Sequence, residues 1–130
     1  MKTFLVGLTL AASVALAAPR INAGNWEATM VTDGETRKLT FCLSAEEAAA
    51  LNADSKSGQE FAAKKAGARC SVKTYEANSD TVSYTLVCGN RTITDVTRYR
   101  GDTSEGVKTV TADGKTSETR IKSRRLGACP

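Results

Sequence analysis

Histidine is absent from all 130 residues, which excludes Ser-His-Asp and Cys-His nucleophilic machinery, histidine-ligated zinc and histidine pH switching. No phosphate loop or nucleotide motif occurs, and the four cysteines are never spaced C-x-x-C. No cofactor, metal site or catalytic residue is therefore expected. Large apolar side chains are scarce. Beyond residue 17 there are seven Val, three Ile, five Leu and two Phe, 17 of 113 residues, below the roughly 20% at which disorder is suspected. With so thin a core, covalent staples are expected to hold the fold.

Apolar sequence is concentrated at the start. Lys2 supplies a positive n-region, Phe4 to Leu16 an apolar stretch, and Ala15-Leu16-Ala17 an A-x-A cleavage site, the pattern of a secretory signal peptide over residues 1–17. No other run approaches membrane length, so no transmembrane segment is expected after cleavage. Residues 18–130 read as a single disulfide-stapled β-rich domain, periplasmic or secreted. Its charge is mild, 17 basic against 14 acidic residues.

Cys42, Cys70, Cys88 and Cys129 can pair in three ways, and an even count in a small exported chain reads as two disulfides. The segment between Cys70 and Cys88 turns at Asn78-Ser79-Asp80. A hairpin symmetric about Ser79 sets Val72 against Leu86, Thr74 against Tyr84, and Cys70 against Cys88 on one face. That predicts Cys70–Cys88 and leaves Cys42–Cys129.

Alternation predicts the remaining strands. Trp26, Ala28 and Met30 share a face before Asp33-Gly34, a two-residue hairpin signal, and Leu39, Phe41 and Leu43 share a face after it. Closing that turn places Trp26 opposite Phe41 and Ala28 opposite Leu39. Ser44-Ala45-Glu46-Glu47 is a capping box opening a short helix to Leu51. Asp54 to Gly58 reads as a polar loop, and Gln59 to Ala66 as a second helix ended by Gly67. Three more strands follow, Arg91 to Arg100, Glu105 to Ala112 and Lys115 to Arg125, turning at Gly101-Asp102 and Asp113-Gly114. They are rich in threonine and poor in large apolar groups, which suits edge strands or a sheet with one wet face. The fold class is mainly β: an antiparallel meander or partial barrel of about seven strands, with two short helices inserted before the central hairpin.

Three stretches read together: Gly24-Asn25-Trp26-Glu27, Tyr99-Arg100-Gly101-Asp102, and Arg124-Arg125-Leu126-Gly127-Ala128-Cys129-Pro130. With Phe41-Cys42-Leu43, Cys70 and Val87-Cys88-Gly89 between them, the chain resembles the exported bacterial domain-of-unknown-function family 3617. Ala23 departs from the proline usual there. The resemblance implies a periplasmic or secreted β-rich domain and no assigned activity.

Two features suggest contacts. Trp26, the only tryptophan, opens the first strand in a G-x-W start similar to lipocalin-like barrels. There the tryptophan plugs the closed end against a basic side chain, a place Arg124 or Arg125 could fill by cation–π stacking. Such a barrel implies a small or polar cavity for a small molecule. Arg120, Lys122 and Arg124 alternate on the last strand, where they either contact an anionic envelope component or guard a sheet edge against association. Aromatics are not interleaved with these charges, so no nucleic-acid partner is expected. Glu27, Asp95, Asp102 and Glu105 make an acid/base pair only if folding brings two of them together. The expected role is a non-enzymatic binding or envelope-accessory module, with a lipocalin-like carrier and a secreted enzyme inhibitor as alternatives.

Overall fold

The computed structural model describes residues 19–130; the signal-peptide stretch lies outside the described residues. Seven strands, β1 (Gly24–Thr32), β2 (Glu35–Leu43), β3 (Cys70–Ala77), β4 (Thr81–Cys88), β5 (Arg91–Tyr99), β6 (Thr103–Ala112) and β7 (Lys115–Gly127), form one open antiparallel sheet. Two helices, α1 (Ala45–Asn52) and α2 (Ser55–Ala66), fall between β2 and β3. The spatial order β2-β1-β7-β6-β5-β4-β3 is a meander from β3 to β7, to which the β1–β2 hairpin is joined by the pairing of β1 with β7.

Local chemistry explains most of the turns. Asp33 and Gly34 have φ of 49° and 79°, and Asp113 and Gly114 have 51° and 71°. This is the double positive-φ turn whose twist matches that of the strands it joins. The first hairpin accordingly sets Trp26 opposite Phe41 and Ala28 opposite Leu39. The last sets Val110 opposite Ser117 and Gly106 opposite Ile121.

The helices begin at side-chain caps. Ser44 Oγ accepts the Glu47 N–H at 3.1 Å and donates to the Glu47 carboxylate at 3.1 Å, so the reciprocal bond of the box runs between side chains. Asp54 to Gly58 is not a loop. Asp54 accepts the Ser57 N–H at 2.8 Å and caps α2 from Ser55 onward, because a short acidic side chain satisfies orphan first-turn donors as readily as it makes a turn. Gly67, at φ 78°, ends α2.

In the central hairpin Cys70 faces Cys88 and Val72 faces Leu86, and both expected disulfides form, Cys70–Cys88 and Cys42–Cys129. Nearer the turn the register differs from expectation: a bulge at Lys73 sets Thr74 opposite Thr85 and Tyr75 opposite Tyr84. One extra residue turns the following side chains over. Tyr75 thereby joins Tyr84 in a parallel stack, ring centroids 6.2 Å apart.

The wet-faced sheet, rather than a row of edge strands, describes β5 to β7, all of which are internal. The edges are β2 and β3. The core lies at one end of the helix-bearing face, where Ile21, Trp26, Leu43 and Ala48 are buried and Ala23, Leu51 and Tyr99 pack against them. Trp26 is 0% exposed, and removing a buried side chain of this size typically costs about 3–5 kcal/mol. On β2 the expected apolar face is present, yet only Leu43 is buried. Leu39 and Phe41 stay 41% and 36% exposed, because α2 packs on β3, at the other edge of the sheet. Gly58 is where α2 comes down on the sheet: a Cβ there would fall 2.5 Å from the Tyr75 ring.

Candidate functional site

The three motif stretches meet at one end of the molecule and form a clasp. Residues 20–22 lie along the turn between β5 and β6: Gly101 donates to the Arg20 carbonyl at 2.7 Å, and Asn22 donates to the Gly101 carbonyl at 3.0 Å. Asn52, the last residue of α1, accepts from the Ile21 N–H and donates to the Ile21 carbonyl, both at 2.9 Å. Asn22 donates its side-chain amide to Asp102 at 2.9 Å, while its carbonyl accepts the Trp26 indole N–H at 3.0 Å. Arg20 donates to the carbonyls of Leu51 and Ala53 at 2.7 and 3.0 Å. Cys42–Cys129 ties the end of β2 to the chain beyond β7.

Trp26 is buried in the core of an open sheet rather than at the closed end of a barrel, and it lacks the expected stacking partner. Arg125 stands opposite it across β1 and β7, but its Nε donates to the Ala23 carbonyl at 2.8 Å. Gly24 leaves the guanidinium that room, since a Cβ there would lie 2.5 Å from Arg125 Nε. Arg124 is on the opposite face, paired with Glu27 at 3.2 Å. Among the described residues the cation–π contact is Lys65 over Phe61. A nearby carbonyl and a carboxylate give these two arginines directed partners that the indole face does not.

The basic stripe does not guard an edge, because β7 lies between β1 and β6. Arg120 meets Glu118 at 3.2 Å, Lys122 meets Glu105 at 3.8 Å, and Arg124 meets Glu27. These exposed pairs are worth little to stability, about 0–1 kcal/mol each, but they offset the positive charge that an anionic partner needs. The four candidate carboxylates are not brought together. Glu27 and Glu105 are engaged on the outer face, Asp102 is in the clasp, and Asp95 projects from the face that carries the helices.

Asp95 marks the region that sequence reasoning passed over. The helices cover the sheet only in part, leaving two adjoining cavities of about 360 and 300 Å³ that share Leu43, Leu51 and Tyr84 in their walls. The larger runs under α1 and α2, past Phe61 and Leu86. The smaller is lined by Trp26, Tyr84, Asp95, Thr97, Tyr99 and Gly106, among others. Gly106 keeps this space open, because a Cβ there would sit 2.5 Å from Thr97 Oγ1.

The chemistry of the groove follows from partial burial. Asp95 is half-buried, opposite Tyr84 on β4 and Lys108 on β6, and accepts the Thr97 hydroxyl at 2.7 Å. Burial raises its pKa, opposed by the Thr97 hydroxyl and the Lys108 charge. The Tyr84 phenol is pushed up to about 12, first by burial and then by the charge of Asp95. Tyr99 is raised for the same two reasons. At neutral pH both phenols are therefore neutral, each able to donate and accept one hydrogen bond beside a carboxylate. The only advance signal was weak: Tyr84, Asp95, Thr97 and Tyr99 alternate correctly on their strands, but polar side chains there read as a wet face.

Residues 21–129 match a family described as Protein of unknown function (DUF3617). No curated protein and no solved structure matches the chain.

Proposed function

The chain belongs to the DUF3617 family, whose function is unknown, and we propose from its groove that it is an exported, non-enzymatic binding module of the small-molecule-carrier kind. The observation that carries this reading is the pair of joined cavities on the helix-bearing face. A space of about 300 Å³ walled by aromatic and aliphatic side chains, with one carboxylate and several hydroxyls among them, has the make-up of a small-ligand site. The space is a groove open along one face of a single sheet rather than a cavity enclosed by a barrel.

Export is supported by the charged, apolar and A-x-A pattern of residues 1–17. The two disulfides suit an oxidising compartment. No helix among the described residues is long and apolar enough to cross a membrane. The non-enzymatic reading draws on the lack of histidine and on the separation of the four carboxylates. An anionic envelope partner draws less support, because each cation of the stripe meets a carboxylate.

The test is native mass spectrometry of the protein recovered from the periplasm without reductant. The expected species is residues 18–130 less four hydrogens, for two disulfides, carrying a small-molecule adduct. The same mass without adduct, together with Trp26 fluorescence unmoved by a panel of small amphiphiles, removes the carrier reading.

A further inference from the structure

The smaller cavity has one charged residue in its lining, Asp95. Lys108 is directly opposite Asp95 in register, yet it does not line the cavity and forms no ion pair with Asp95 among the described residues. The other cations nearby are committed elsewhere: Arg125 to the Ala23 carbonyl, Arg20 to carbonyls of the clasp. The walls around Asp95 carry four aromatic residues, Trp26, Phe41, Tyr84 and Tyr99. The remainder is aliphatic or hydroxylic, with Gly106 between them.

From this juxtaposition we infer that the groove selects a ligand bearing an ammonium group on a short apolar body, the cation seated against Asp95 and the body lying along the shared wall of the two cavities. The inference rests on the carrier reading and names its ligand class. A half-buried carboxylate is costly unless a cation or donors compensate it. Thr97 supplies a single hydroxyl, and the Lys108 charge acts on Asp95 only without a direct ion pair. An ammonium gains both the charge-assisted contact and attraction to aromatic faces in a site partly shielded from water. A carboxylate ligand meets repulsion there. An alcohol gains only the apolar contact and an ordinary hydrogen bond.

Net protein charge works against this preference, since residues 18–130 hold 17 basic and 14 acidic side chains. Non-specific attraction therefore favours an anionic probe, and an ammonium preference reports the site itself.

The experiment titrates the folded, oxidised protein at neutral pH with three probes of one chain length, octylammonium, octanol and octanoate, following the fluorescence of Trp26. Expected is an order in which the ammonium probe binds about tenfold more tightly than octanol, with octanoate weakest. Asp95→Asn is expected to erase the gap between ammonium and alcohol while leaving octanol affinity within about twofold of the parent. Equal binding of all three, or octanoate binding tightest, overturns the ammonium preference and leaves the carrier reading standing. Binding of none overturns both. Should Asp95→Asn fail to fold, the order of the three probes on the parent protein still decides the matter.

Discussion

The clasp and the groove share Trp26, Leu51 and Tyr99 but are built on opposite terms. In the clasp, Arg20, Asn22, Asn52, Asp102 and Arg125 each hold a partner within 3.0 Å, and a disulfide closes over them. In the groove, about 300 Å³ remains unfilled beside a carboxylate with one internal hydroxyl partner. A small chain with few large apolar groups thus spends its directional bonds at one end of the sheet and leaves the middle of the same face open. The stretches Gly24–Glu27, Tyr99–Asp102 and Arg124–Pro130 belong to the end that holds the fold.

The contrast is broken most severely at the disulfide. Cys42–Cys129 closes a loop of sequence separation 87, for which the loop-entropy model gives about 4.5 kcal/mol. The double variant Cys42→Ser with Cys129→Ser is expected to lose stability of that order in urea unfolding. A loss under ~1 kcal/mol would show that the non-covalent clasp suffices. Next is Asn52→Ala, which strips both side-chain partners from the Ile21 backbone and should cost about 1–3 kcal/mol in urea unfolding; an unchanged stability would show that Asn52 does not hold the clasp.

The smallest effect has the opposite sign and lies in the groove. Burial holds the Asp95 pKa above its ordinary 3.8, so between the unfolded and folded values the native state binds more protons and stability falls as pH rises. Asp95→Asn should therefore raise the melting temperature at pH 7 and not below pH 3.8. A melting temperature lowered equally at both pH values would make Asp95 structural, like the clasp residues.

The clasp's components were legible in the sequence, but their meeting was not. Asp33-Gly34 and Asp113-Gly114 announce turns because the requirement for positive φ is local, and the registers they set hold along both hairpins. The cysteine pairing followed from the half of the central hairpin that lies before the bulge. The bulge itself was not legible, since one extra lysine between alternating residues carries no mark. Nor was the β1–β7 pairing, which made an expected edge strand internal. The groove was hidden for a related reason: its walls come from strands far apart in sequence, and Asp95 and Thr97 share the composition of exposed sheet. Only register and helix placement show that this face is half-covered.

The junction of β1 with β7 also governs the order in which the molecule can assemble. Trp26 and Arg125 are partners across 99 intervening sequence steps, so the β1–β2 hairpin, though it can form early, has nothing to dock on until the rest of the meander exists. High contact order of this kind slows folding. Meanwhile β1 offers an unpaired edge to any neighbouring strand. During biogenesis the vulnerable surface is therefore β1, an interior strand of the finished protein, and its shelter comes from the part of the sheet made last.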